Sequence, residues 1–384
     1  MRARATTVEG VRRTNLAEVL RLVHHGGPRS RSVITAETGL NRSTVSDLVA
    51  QLVEVGLVRE QEPDPTRRVG RPSPIVVPSE DVVAIGINPE IDAIEVGAVS
   101  LGGTVRVRER IAAEHPDIAQ VVDVVARIVA DWKSGVLQGS RLVGAGVAVP
   151  GLVRTSDAVV RLAPHLGWHD ADIAGPLAEA LGLPVVVGND ASFGARAERL
   201  FGAASTHEDV VYLNGGASGI GGGLVLHGQL IGGEDGYAGE WGQTTAAVPT
   251  AADRRADGGV LEDEVNRARL VLAAGLTAPD DAELEQALTT SEEAAAEAER
   301  QRRILAATLS NAVNVLNPSM IVLGGFLGSL RDVDRDAFDA EVRARALAAS
   351  AEHLTLASAA LGADRLLIGA ADAAMQGLLS NPLG

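Results

Sequence analysis

Cysteine is absent from this 384-residue chain, which excludes disulfides, a thiol nucleophile and any cysteine-built zinc or iron–sulfur site. Lysine is almost absent too: Lys133 is the only one, an imbalance that GC-rich codon usage explains without invoking a function. No apolar run approaches the ~18 residues needed to cross a bilayer, and the opening MRARATTVEGVRRT has no apolar stretch of the secretory-signal kind. A soluble, cytoplasmic protein with no membrane partner is expected. With 46% hydrophobic and 22% charged residues, collagen-like, disordered and coiled-coil classes are set aside. At about 150 residues per domain, the length suggests two or three domains.

The net charge of -16 is unevenly spread. Residues 1–72 carry twelve arginines against eight carboxylates, a net of +4, so the remainder stands at -20. An acidic body is repelled by nucleic acid. If DNA is bound, the basic end must bind it.

That end reads as helical. From Asn15, the residues Leu16, Val19, Leu20, Leu22 and Val23 follow helical spacing up to Gly26-Gly27-Pro28. A short second helix fits Ser32 to Thr38, closed by Gly39. Asn41 then suits an N-cap, with Val45, Leu48, Val49, Leu52 and Val53 forming a core stripe. The opposite face offers Arg42, Ser43, Thr44, Ser46, Asp47 and Gln51, short polar groups and one guanidinium where a recognition helix meets DNA. The pattern resembles a winged helix-turn-helix. Further on, Arg67-Arg68-Val69-Gly70-Arg71-Pro72 is similar to the Gly-Arg-Pro core of minor-groove AT-hook segments. Prolines 63, 65, 72, 74 and 78 mark the same stretch as a stiff connector. Residues 1–78 are therefore expected to form a DNA-binding domain with a basic linker, Arg42, Ser43, Thr44, Ser46, Gln51, Arg67, Arg68 and Arg71 being its candidate contacts.

Beyond Pro78 the pattern is α/β. Strands Val82–Ile87, Ile94–Ser100 and Val105–Arg110 suggest a meander, followed by a helix from Ile118 to Trp132, a strand from Val143 to Val149, another over Val185–Asp190 and a helix from Ala191. A second lobe opens alike, with strand Val210–Leu213, a glycine-rich turn over Asn214–Gly223 and a return strand Leu224–Leu226. Asn317–Gly325 reads as helix, strand, then glycine turn. An internal duplication around a cleft fits an actin-like, sugar-kinase-like (ribonuclease H-like) architecture. The expected small lobe covers about 79–188 plus a terminal helix, 365–384, and the large lobe about 189–364.

Five segments carry a family resemblance over nearly the whole chain. Gly144–Gly151, Gly188-Asn189-Asp190, Ser218–Gly223, Ala238-Gly239-Glu240-Trp241-Gly242 and Ile321–Gly325 together resemble the ROK family, which groups repressors, open reading frames and sugar kinases. Behind a helix-turn-helix, they place the chain among sequences similar to the family's transcriptional repressors. The resemblance implies operator DNA and a sugar or sugar-phosphate effector as partners, and a homodimer or homotetramer acting on paired half-sites.

The same resemblance supplies the candidate sugar site. Asn189 and Asp190 sit where a strand feeds a helix, whose dipole is expected to keep the aspartate ionised. Asp190 matches the general base of the family's kinases and, in repressors, resembles a sugar ligand. Glu240 and Glu262 match sugar-contact carboxylates, and Gly151, His165 and Gln243 complete the candidate set. Trp168 offers a face for an apolar sugar surface. His165 and His169 flank Gly167-Trp168 and read as a cleft loop.

Two departures matter. Where a family kinase has an Asp-x-Gly-Gly-Thr phosphate turn, this chain reads Asn88-Pro89-Glu90: proline removes an N–H and glutamate adds charge beside phosphate. No phosphoryl transfer is expected, and no cofactor. The family's zinc motif needs a histidine where Gln243 stands and three cysteines near Asp253–Glu262, where there are none, so no metal is expected. The acidic stretch Asp280–Glu299 reads as a solvated helical face. Alternatives are a sugar kinase with a DNA-binding appendage, and a binding module whose ligand is not a sugar.

Overall fold

The computed structural model describes residues 8–62, 73–216, 218–277, 279 and 281–384. Helix α1 (Val8–Gly26) starts seven residues before the expected Asn15, because the apolar pattern says nothing of an exposed first turn. Strand β1 (Arg29–Ser30), α2 (Arg31–Thr38) and α3 (Arg42–Glu54) follow, then β2 (Val58–Gln61) and β3 (Ile75–Pro78). Gly39 ends α2 in the left-handed region, and Asn41 caps α3 by accepting from the Thr44 N–H at 2.9 Å. Val45, Leu48, Val49 and Leu52 are buried, but Val53 is 39% exposed. It lies about 80° round the helix from Val45 and falls off the buried stripe.

β2 and β3 pair antiparallel, with β1 on the other side of β3. In the chain, residues 63–72, expected as a connector, stand between these two paired strands and lie outside the described residues. Arg67, Arg68 and Arg71 lie outside the described residues. The true junction is short: β3 ends at Pro78 and β4 begins at Val82.

The first body sheet comprises β4 (Val82–Pro89), β5 (Ala93–Ser100), β6 (Val105–Ala112), β7 (Arg141–Val149) and β11 (Val185–Asn189), in the order β11-β7-β4-β5-β6. Helices α4 (Ile118–Ser134) and α5 (Ala174–Leu181) cover it, and a small sheet of β8 (Leu152–Val153), β9 (Val160–Ala163) and β10 (Trp168–Ala171) extends its edge. After α6 (Asp190–Phe201) comes the second sheet, β14-β13-β12-β15-β16, built from β12 (Val210–Gly216), β13 (Gly219–Leu226), β14 (Gln229–Leu230), β15 (Met320–Gly325) and β16 (Thr355–Ser358). Both sheets start on a central strand, add two antiparallel neighbours on one side and two parallel ones on the other. The duplication read from sequence is thus a shared topology. The expected glycine turn over Asn214–Gly223 is mostly paired strand, since Asn214 pairs with Gly221 and Gly216 with Gly219.

Helices α7 (Leu261–Glu264), α8 (Arg267–Ala273), α9 (Asp281–Thr290), α10 (Glu292–Leu316), α11 (Phe326–Asp332), α12 (Arg335–Arg345) and α13 (Ala348–Ala351) pack with the second sheet. The acidic stretch falls on α9 and the start of α10, where Leu284, Leu288, Ala294 and Ala298 turn inward. The last helix, α14 (Arg365–Ser380), lies across β4 and β7. That crossing needs glycine: a Cβ on Gly146 would stand 1.9 Å from the Ala370 carbonyl oxygen.

The core of the head, with Ile34, Val45, Leu48, Val49, Leu52, Leu57, Val58 and Val76, runs on into the body. Leu16, Leu20 and Val23 of α1 pack in one cluster with Val82 and Ala84 of β4, Val99 of β5 and Ile368, Met375 and Leu379 of α14. Each such buried side chain contributes about 1.5–3 kcal/mol relative to exposure.

Candidate ligand cleft and nucleic-acid interface

The carboxyl ends of the parallel strands β7 and β11 place the first residues of the site, the position where open α/β sheets bind ligands. Asn189 pairs in register with Val149, and its side chain does two jobs. Its Oδ1 caps α6 by accepting from the Ser192 N–H at 2.9 Å, while its Nδ2 donates to the Gly151 carbonyl at 3.0 Å. Asn189 and Gly151 are thereby joined, with the amide serving as cap and clamp.

Asp190 follows as the first residue of α6, and its Oδ1 accepts from the Ala191 N–H at 2.8 Å. Its carboxyl is ionised at neutral pH, but it holds its proton more tightly than an ordinary aspartate. Burial, then the nearby charge of Glu240, push its pKa up to about 6, against the opposing Ala191 N–H and Arg365. Desolvation outweighs the helix N-terminus here.

From the other sheet, the turn after β14 brings Glu240 close to Asp190, and α7 brings Glu262. Burial and the charge of Glu262 raise the Glu240 pKa. Glu262 is held from both sides: Oε1 accepts from Gln243 Nε2 at 2.6 Å and Oε2 from the Ile220 N–H at 3.1 Å. Gly219, at φ 139°, leaves room for this carboxylate. Asp190, Glu240, Gln243 and Glu262 are thus gathered from α6, two turns and α7 into one acidic cluster. Three carboxylates and an amide can accept hydrogen bonds from several hydroxyls of one ring.

His165 and Trp168 do not join them. His165 is exposed on the turn between β9 and β10, where its carbonyl accepts from the His115 ring at 2.9 Å. Trp168 is 5% exposed in the core of the first lobe, and its Nε1 donates to the Pro116 carbonyl at 3.1 Å. The indole packs inward because it begins an edge strand over α4 and α5, so it offers no face to a sugar.

Where the phosphate turn was sought, β4 runs through Pro89. A cavity of about 390 Å³ between the lobes is lined there by Asn88, Glu90, Glu95, Arg108, Asp332 and Arg365, among others. Burial and Glu95 raise the Glu90 pKa, and Asn88 Nδ2 donates to Glu90 at 3.0 Å. Arg108 is spent on Glu95 at 2.7 Å and Asp364 at 3.1 Å.

Around Asp253, arginines of α10 tie the chain together as an ionic staple. Arg300 donates to the Asp253 carbonyl at 2.7 Å, to Glu264 Oε2 at 2.9 Å and to Glu297 Oε1 at 2.7 Å, and Arg303 pairs with Asp253 at 2.6 Å. Sequence reading missed this network, although the Arg300-Gln301-Arg302-Arg303 run in an acidic lobe was its signal.

In the head, Arg42 is exposed on the first turn of α3 without a partner among the described residues. Thr44 stands beside it, half-buried. The other candidates are engaged: Ser43 Oγ donates to Asn41 at 2.7 Å, Ser46 accepts from Arg31 at 2.8 Å and Gln51 from Arg12 at 3.1 Å. Arg12 and Arg31, which the sequence reading passed over, therefore flank the same face.

A winged helix fused to a duplicated, two-lobed α/β body with a carboxylate-lined cleft defines the class. The family model described as "ROK family" matches residues 84–376, and the chain belongs to that family. A model described as "MarR family" matches residues 17–68. The Xylose repressor of Bacillus subtilis (strain 168) is 28% identical over 239 residues, 61% of this chain and 61% of that protein, so the chain spans less than two thirds of that relative's length. The DNA-binding transcriptional dual regulator NagC of Escherichia coli (strain K12) is 25% identical, covering 90% of this chain and 89% of its own. The crystal structure of a ROK family transcriptional regulator homologous to the Escherichia coli MLC protein superposes with a TM-score of 0.75 at 22% identity, covering 97% and 98% of the two chains. That last likeness shows the fold, head included. Among the described residues, no helix is long and apolar enough to cross a membrane.

Proposed function

We propose that this chain is a sugar-responsive, DNA-binding transcriptional repressor of carbohydrate metabolism genes that has lost phosphoryl transfer. The observation that carries this reading is the joining, in one molecule, of a basic winged head to the Asp190–Glu240–Gln243–Glu262 cluster. Similarity to the Xylose repressor and to NagC supports it. Asn189, Asp190, Glu240, Gln243, Glu262 and Gly151 form the sugar site. Arg42 and Thr44, with Arg67, Arg68 and Arg71, contact operator DNA, and the protein acts in the cytoplasm as a homodimer or homotetramer.

One observation favours the kinase alternative: an aspartate with a pKa of about 6 is poised as a general base. Against it stand Glu90 and Glu95 at the inter-lobe cavity, where ATP phosphates would meet carboxylates and an arginine already paired. A thermal-shift screen of free sugars and sugar phosphates, with an ADP-release assay on every hit, tests the reading. A ligand at 100 times its Kd raises stability by about 2.7 kcal/mol. Stabilisation without ADP release is the expected result; sustained turnover overturns it.

A further inference from the structure

The one carboxylate on α14 that is almost wholly buried, Asp372 at 2% exposure, sits where three helices meet. Its Oδ1 faces His24 Nε2 at 2.9 Å and His25 Nε2 at 3.3 Å, both from the end of α1 in the head. Its Oδ2 accepts from Arg196 Nε of α6 and from Gln376 Nε2, the latter at 3.3 Å. Phe201, at the end of α6, meets the two histidine rings edge-on at 5.3 and 5.7 Å.

The donors fix the nature of this cluster. His24, His25 and Asp372 bring three ligand atoms within 4.8 Å of one another, as a metal site would. Yet the Gly102 N–H donates to His24 Nδ1 at 2.9 Å, so that nitrogen holds no proton and Nε2 must donate to Asp372. A metal would have to displace that proton and sit beside the Arg196 guanidinium. Burial lowers the His24 pKa, and although burial alone would raise that of Asp372, the histidine and Arg196 contacts hold it far below the usual carboxylate range. The cluster is a hydrogen-bonded hub with one fixed negative charge.

Its placement gives it a task. Helix α6 begins with Asp190 in the cleft and reaches Arg196 six residues on, about 9 Å along a rigid helix. It also packs on β12 and β13 of the second sheet, whereas α14 lies on β4 and β7 of the first. The two helices cross so closely that a Cβ on Gly369 would stand 2.1 Å from the Phe193 carbonyl oxygen. Any shift of α6 that accompanies ligand binding at Asp190 reaches Arg196 undamped. We infer that Asp372 is the coupling residue of this protein, transmitting the position of the ligand-site helix, through Arg196, to His24 and His25 of the DNA-binding head. This deepens the proposed sugar response and rests on it.

The test separates coupling from either binding step. Full-length wild type, Asp372→Asn, Arg196→Met, Arg196→Lys and Arg21→Ala are compared; Arg21 makes an independent α1–α14 tie to Ser380 at 3.0 Å. The DNA is a duplex selected from a random pool by unliganded wild type. The ligand probes are D-xylose, D-glucose, N-acetylglucosamine and their phosphate esters. The readout is the ratio of DNA Kd with and without saturating probe, which for coupled sites is about 5- to 150-fold. In Asp372→Asn and Arg196→Met this ratio is expected to fall below twofold, while DNA affinity without probe and probe affinity each stay within threefold of wild type. Arg196→Lys, which can still donate to Oδ2, is expected to recover part of the ratio, and Arg21→Ala to keep it. Should Asp372→Asn fail to fold, Arg196→Met, whose side chain is 24% exposed, decides alone. A wild-type response retained in full by Arg196→Met overturns the coupling role and leaves the sugar reading standing. Absence of any wild-type response to the panel overturns the sugar reading, and the coupling role with it.

Discussion

Replacing Arg300 by methionine removes a cation that is 3% exposed and faces Glu264, 0% exposed, at 2.9 Å. Methionine fills most of the volume but leaves the Asp253 and Glu264 carbonyls without their donor and the Glu264 carboxylate with only the Arg255 and Ala256 N–H groups, at 3.0 and 2.9 Å. Removing one partner of a buried pair costs about 3–5 kcal/mol, because the remaining charge stays desolvated. With an unfolding entropy of about 2.1 cal/mol/K per residue over 384 residues, each kcal/mol shifts Tm by about 1.2 °C, so Tm falls by roughly 4 to 6 °C. Glu264→Gln destabilises as well, and the double variant loses less than the two singles together, by about 0.5–3 kcal/mol, since the pair acts as a unit. The pH dependence has a definite sign. Burial opposes ionisation of Glu264, but its hydrogen bonds and Arg300 overcome this and lower its pKa below the ordinary 4.5. Its contribution is therefore complete above pH 4.5 and is lost as pH falls through the folded-state value. Urea unfolding of the three variants, with hydrogen exchange at the Arg255 and Ala256 amides, reads both effects. Losses under about 1 kcal/mol in each single variant, or strict additivity in the double, refute the view that Arg300 and Glu264 act as one buried pair.

Ligand affinity at the carboxylate cluster weakens about tenfold between pH 7.5 and 5 as Asp190 protonates near 6, and calorimetric titration of Asp190→Asn gives a flat profile over that window. Arg42→Ala relaxes sequence preference at a cost of about 1–3 kcal/mol if the guanidinium reads a base edge, which competition binding on mutated duplexes measures; an unaltered preference removes it from the base contacts. Gly146→Ala, whose Cβ would stand 1.9 Å from Ala370, destabilises by about 1–3 kcal/mol or more, whereas Gly377→Ala, with nothing within 4 Å, is neutral or stabilising; urea midpoints compare the two.

Local rules made α2 and α3 legible, because Gly39 and Asn41 act through their own backbone and the buried stripe repeats at the helical period. The duplicated sheets were legible for a similar reason: short β-branched runs have one sensible partner order. What failed depended on distant contacts. Prolines mark a connection between paired strands and a linker alike, so only the β2–β3 pairing separates the two. Trp168 and His165 sit on a hairpin too short to show alternation, and which face of it is buried depends on α4 and α5. Asp190 was placed correctly, but its proton affinity is set by burial and by Glu240, fifty residues away. The hub at Asp372 is hard to read locally, since apart from Gln376 its partners Arg196 and His24 lie 176 and 348 residues off.

That last separation bears on how the molecule comes to exist. The head is made first, yet the apolar cluster beneath α1 includes Ile368, Met375 and Leu379, and His24 finds its carboxylate only at residue 372. At synthesis rates of about 5–20 residues per second, the 348 residues between them take roughly 17 to 70 seconds. Until then Leu16, Leu20 and Val23 lack the part of their cover that α14 supplies. A chain interrupted before residue 365 would therefore carry α1 without the α14 side chains Ile368, Met375 and Leu379 that cover it in the finished fold.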